Sequence, residues 1–149
     1  MRIQHDSYVL VADGAKMLFF RNEGDAENIN LQVVAAEQQA DPADGDIRRD
    51  SGGHKHGAVG MAGGSSTSET DFHQQAEDDF AAEAAARINR AALAHEFEHL
   101  VIVAAPRTLG ELRRHYHKEV ESRITAEIPK DLANHPVDRI EKALMAYEQ

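Results

Sequence analysis

The sequence predicts an α/β fold: one domain over residues 1–149, built on a mixed five-stranded sheet with about three helices. Three observations predict it. Two short apolar runs, Ser7 to Ala12 and Leu100 to Ala104, have the length and continuity of strands covered on both faces. Each feeds straight into turn or helix-start chemistry, Asp13-Gly14 after the first and Pro106 to Glu111 after the second. Between them, Phe72, Ala76, Phe80, Ala84 and Ile88 recur every four residues, the repeat of one helix face. Strands alternating with such helices build α/β sheets.

The elements follow in order. Asp13-Gly14 predicts a hairpin, and Lys16 to Arg21 (KMLFFR) returns as the second strand. Leu31 to Glu37 (LQVVAAE) is the third, which completes a meander. A helix is expected from near Asp71, capped by Ser68 or Thr70, and Ala91, Ala92 and His95 continue its apolar side. Leu100 to Ala104 is the fourth strand. Thr108-Leu109-Gly110-Glu111 reads as a capping box that opens a second helix reaching about Arg123. Apolar and polar residues then alternate from Arg123 to Glu127, the mark of a half-buried fifth strand. Pro136 is expected at a first helical position with His135 as its cap, and Val137 to Tyr147 closes the chain as a helix.

The pattern dissolves between residues 38 and 70. Seven of the ten glycines lie between Gly45 and Gly64, mixed with Ser, Asp and His, so no core can form there. This predicts a long Gly-rich flexible loop, of the kind that carries function or stays mobile. Within it, Arg48-Arg49-Asp50-Ser51-Gly52-Gly53-His54-Lys55 combines cations with glycines that let backbone approach a ligand closely. Arg48, Arg49, Gly52, Gly53, His54 and Lys55 are therefore candidate anion-binding residues. It is not a P-loop, because no Gly-Lys-Ser/Thr follows. A solvated linker is the plainer reading.

Composition narrows the function classes. The formal net charge of −10 opposes bulk, sequence-independent binding to nucleic acid. The charge is uneven, however. Residues 22–47 carry seven acids and no Lys or Arg, while cations gather at Arg48, Arg49 and Lys55 and again from Arg107 to Lys118. No apolar run approaches the roughly 18 residues of a membrane span, and the first residues lack the pattern of a signal peptide. With no cysteine in the chain, a cytoplasmic setting is expected, with no membrane partner.

Two further constellations invite chemistry. The strand–helix junction brings Asp13, Arg107, Thr108 and His117 forward as candidates, since ligands often bind where strands hand over to helices. His95-Glu96-Phe97-Glu98-His99 fits H-E-x-x-H, in which two histidines on one helix face hold zinc and the glutamate acts as base. The context opposes it: a strand begins at Leu100, so the helix is expected to end at or before His99. The alternative is that His95 packs at the helix end and His99 covers the start of the strand. The residues call for no cofactor.

Three blocks carry a resemblance: Val9 to Ala15 (VLVADGA), Val101 to Arg113 (VIVAAPRTLGELR), and Lys130-Asp131-Leu132 with His135 to Ile140 (HPVDRI). They resemble the bacterial host-attachment protein family, whose members are labelled as required for attachment to host cells. That family in turn is similar to the middle domain of archaeal and eukaryotic peptide-chain release factors and of the ribosome-rescue protein Pelota. The shared layout is a hairpin opening on V-x-D-G, a third strand, a long loop, a long helix, then strand, helix, strand, helix. In release factors the loop carries Gly-Gly-Gln into the ribosome. Here the corresponding place holds Gly52-Gly53-His54, and the glutamine is absent. The resemblance therefore implies an intracellular, non-enzymatic binding module for RNA, the ribosome or a protein partner, with an indirect role in attachment to host cells. The alternatives are a peptidyl-tRNA hydrolase acting through the loop and a zinc-dependent hydrolase using His95 and His99. Homo-oligomers are a further expectation, through pairing of the strand at Arg123 to Glu127.

Overall fold

The computed structural model describes residues 1–39 and 62–148. Five strands form one mixed sheet: β1 (Tyr8–Ala12), β2 (Lys16–Asn22), β3 (Leu31–Gln38), β4 (Leu100–Ala104) and β5 (Ile124–Ile128), in the order β3-β2-β1-β4-β5. The first three are an antiparallel meander, and β4 joins β1 in parallel. β5 joins β4 in parallel and forms one edge of the sheet. Helix α1 (Ala62–Leu93) precedes β4, α2 (Pro106–Arg113) and α3 (Lys118–Glu121) connect β4 to β5, and α4 (Val137–Ala146) follows β5. The mixed five-stranded α/β architecture is as the sequence predicts, with four helices among the described residues where about three were expected.

Both apolar runs are buried throughout, as strands covered on two faces must be. Alternation sorts their side chains into two cores. Leu10, Phe19 and Ile102 meet Phe80, Ala84 and Ile88 of α1 with Leu109, Leu112 and Val120 of α2 and α3. Val9, Val11, Phe20, Val101 and Val103 meet Ile140 and Leu144 of α4 on the other face. Five alanines of α1 (Ala81, Ala84, Ala85, Ala91 and Ala92) are buried, which lets that helix lie close to the sheet.

Several boundaries differ from the expectation for physical reasons. The expected loop ran to Thr70, but α1 already begins at Ala62. The apolar repeat is buried only from Phe80 onward, and Phe72 is 47% exposed, because the helix runs beyond the sheet there. The capping box is not used. Pro106 opens α2 with no side-chain cap on Ala105, so Thr108 lies inside the first turn. Glu111 instead meets Arg114 and His115, both at 3.4 Å. Pro136 is the N-cap of α4 rather than its first residue, and His135 does not cap it.

The expected single helix from Thr108 to Arg123 is broken between Arg113 and Lys118, and Asn89 of α1 is the reason the break is tolerated. Its amide donates to the His115 carbonyl at 2.9 Å and accepts from the His117 backbone N–H at 2.8 Å. Backbone groups freed by the break are thus satisfied from a neighbouring helix. His117 then caps α3, its Nδ1 accepting from the Glu119 N–H at 3.0 Å.

Asn22 closes the other side of the fold. It is fully buried at the end of β2. Its amide nitrogen donates to the carbonyls of Ile3, Gln4 and Asp25, and its Oδ1 accepts from the N–H groups of Gly24 and Asn30. One side chain therefore ties the leading segment to the β2–β3 connection. Gly24 sits tightly in that connection: a Cβ there would lie 2.0 Å from the Asn28 carbonyl oxygen. Asn22→Ala strands several buried donors and acceptors at once, each costly without a partner. A loss of about 3 kcal/mol in denaturant unfolding is expected; a loss below about 1 kcal/mol would show that the network contributes little.

Candidate functional site

The carboxyl ends of the parallel strands gather the residues around the β3–α1 connection. Asp13 ends β1 and shapes the hairpin, its Oδ1 accepting from the N–H groups of Ala15 (2.8 Å) and Lys16 (2.7 Å). Asn134 reaches its other oxygen at 3.5 Å, which links the start of α4 to the hairpin. Gln39, just past β3, donates its N–H to the Ala15 carbonyl at 2.7 Å. A Cβ on Gly14 would come within 2.7 Å of the Glu77 side chain, so the hairpin lies close against α1 here. Upstream of Glu77, α1 continues to Ala62, about 22 Å at the usual helical rise. The connection thus leaves β3 at this end of the sheet, and α1 comes back to the same end at Glu77. Pro106, Arg107 and Thr108 follow β4 at this same end, with Arg107 exposed and Thr108 half-buried.

Arg48, Arg49, Gly52, Gly53, His54 and Lys55 lie outside the described residues. Of the junction candidates, Asp13, Arg107 and Thr108 share the carboxyl end. His117 does not join them: it lies against Asn89, toward the far end of α1. Among the described residues no hydrogen bond or ion pair links these four to one another.

His95 and His99 lie at the opposite, amino end of the parallel strands. The zinc arrangement does not form, because α1 stops at Leu93. His95 adopts the left-handed conformation (φ 57°), with its N–H bonded to the Ala92 carbonyl and the next N–H, of Glu96, bonded to Ala91. This is a Schellman ending, with histidine where glycine is usual. The two histidines therefore share no helix face, and no group of three His, Asp or Glu among the described residues could hold a metal ion. Replacing His95 with glycine relieves the steric cost of a left-handed side chain, with about 1 kcal/mol of added stability expected in thermal or denaturant unfolding. An unchanged or lower stability contradicts this account of the helix end.

A cleft of about 350 Å³ opens at this amino end, lined by His5, Asp6, Tyr8, Arg21, His95 and His99 among others. Asp6 also has a positive φ, of 67°. Burial, reinforced by Glu96, raises the Tyr8 hydroxyl pKa, and Arg21 opposes that rise. Nearby, Arg123 donates to the Glu119 carboxylate at 2.8 Å and holds it below its ordinary range, and it reaches His95 Nδ1 at 3.3 Å. Sequence reasoning missed Asn22 and Asn89, whose only signal was an amide at a strand end and another within an apolar helix. It also missed the pairing of Ser7 with His99, which only the sheet register brings together.

A three-strand meander, a long helix and a β-α-β unit closing on a last helix define a release-factor-like α/β domain. The chain belongs to the bacterial archaeo-eukaryotic release factor family 12, whose family model matches residues 6–144. It is also similar to a curated protein of Rickettsia prowazekii (strain Madrid E), named uncharacterized protein RP470, with 37% identity over 51 residues. That match covers 34% of this chain and 34% of the relative, so the chain aligns with about a third of the relative's length.

Proposed function

We propose that this domain is a non-enzymatic binding module that contacts ribosomal RNA through the β3–α1 connection. The observation that chiefly supports the reading is that the connection leaves β3 at the carboxyl end of the sheet, where Gln39 bonds to Ala15, and that α1 returns to the same end with Glu77 close against Gly14. From there α1 extends outward and the connection carries Arg48, Arg49, Gly52, Gly53, His54 and Lys55. Membership in a release-factor family supports a translation-related partner. Three cations on a chain of net charge −10 favour contact at one place, since the remaining acidic surface repels phosphate. His54 stands where release factors carry glutamine, so peptidyl-tRNA hydrolysis is not part of the reading. A role in attachment to host cells is then an indirect consequence of this binding.

Co-sedimentation with ribosomes at low and moderate salt tests it. Binding at low salt is expected to weaken as salt rises. In the triple variant Arg48→Ala, Arg49→Ala, Lys55→Ala the slope of log affinity against log salt should fall by about 2 to 3. Peptide release from stalled complexes should stay at background for the natural chain and for His54→Ala. No association at either salt removes the ribosomal partner, unchanged binding by the triple variant removes the connection, and release that depends on His54 makes the protein a hydrolase.

A further inference from the structure

A second cavity, of about 570 Å³, lies at the amino ends of β1, β4 and β5, the end of the sheet opposite Asp13 and Arg107. Its most buried polar residue is Ser7. Ser7 is 3% exposed and lines the cavity, yet its hydroxyl has no hydrogen-bond partner among the described residues. With no such partner, that hydroxyl is open to the cavity and free to bond a molecule that enters it. His99 stands beside it. The pairing of Tyr8 with Leu100 sets Ser7 opposite His99, and alternation along both strands puts the two side chains on the Val9 face of the sheet. The Tyr8 N–H to His99 carbonyl bond of 2.9 Å fixes that register. The His99 ring is half-buried and likewise has no hydrogen-bond partner among the described residues.

The rest of the wall indicates what would bind. Arg2 and Gln4 add donors, and Arg2 is held only loosely by Glu27, at 3.6 Å. Tyr147 supplies an aromatic flank, with the Lys130 ammonium 5.9 Å from its ring centre. Among the described residues, Glu148 is the one carboxylate on the wall, and it is exposed. A hydroxyl, an imidazole, an amide and a guanidinium can all donate to an anionic oxygen, and the volume exceeds what a bare ion needs.

We infer that this cavity binds a small aromatic or apolar molecule bearing an oxyanion, with the oxyanion received by Ser7, His99 and Arg2 and the body of the molecule against Tyr147. The site is independent of the ribosomal reading, because it occupies the opposite end of the sheet.

Titration of the isotope-labelled protein, followed by the NMR signals of Ser7 and His99, tests the inference. The probes are phenyl phosphate, benzoate and inorganic phosphate, with sodium chloride at matched ionic strength as control. Saturable shifts with a Kd of about 1 mM or tighter are expected for phenyl phosphate or benzoate. Preference for the first identifies a phosphate ester, and preference for the second a carboxylate. Ser7→Ala should weaken binding roughly tenfold, the loss expected for one hydrogen bond to a charged group. Arg2→Gln, at an exposed position, should weaken it without lowering the melting temperature, which keeps the test valid if Ser7→Ala folds poorly. Shifts that sodium chloride reproduces, no saturation with any probe, or unchanged affinity in both variants would overturn the inference.

Discussion

The parallel pairing of β1 with β4 is the constraint on which the rest of this structure depends. Both strands are buried on both faces, so every side chain along them is committed to one of two cores. A parallel pair cannot be closed by a hairpin and needs a crossover connection. Here that connection contains β2, β3, residues 40–61 and α1. The pair therefore accounts for the length of chain between its strands, and it fixes two chemically different ends. At the carboxyl end, Asp13 and Pro106 turn the chain. At the amino end, Ser7 and His99 stand side by side just before the strands begin.

Two buried or half-buried amides make this arrangement affordable in hydrogen bonds. Asn22 satisfies backbone groups from three segments around the β2–β3 connection, and Asn89 satisfies those exposed where the chain breaks between α2 and α3. Neither touches the carboxyl end, yet both hold the helices and strands that define it. Irregular backbone in this domain is placed where a side-chain amide can replace the missing partners.

How much of this was legible in the sequence follows from the range of each interaction. The strands were legible because an apolar run in β1 or β4 records burial directly. The helix repeat in α1 was legible for the same reason, though not where the helix leaves the sheet, since Phe72 continues the repeat into solvent. Helix ends were less legible. Thr108 and Glu111 have the residue types of a capping box, but the proline two residues earlier starts the helix first. The zinc-like spacing from His95 to His99 failed because the left-handed turn at His95 is a backbone event with no local marker. Among the candidates, Asp13, Arg107 and Thr108 do share an end of the sheet, whereas His117 is taken by the packing of α3 on Asn89. Long-range register, which puts Ser7 beside His99, leaves no trace in either segment alone.

On the proposed function, the carboxyl end of the sheet, and not the amino end, would face the ribosome. The chain has no cysteine, so single probes can be placed cleanly. A photo-crosslinker attached at Arg107→Cys or at Glu98→Cys, both exposed positions at opposite ends, reports which end is in contact. The account predicts crosslinks to ribosomal RNA from position 107 and none from position 98. Crosslinks from position 98 alone would contradict it.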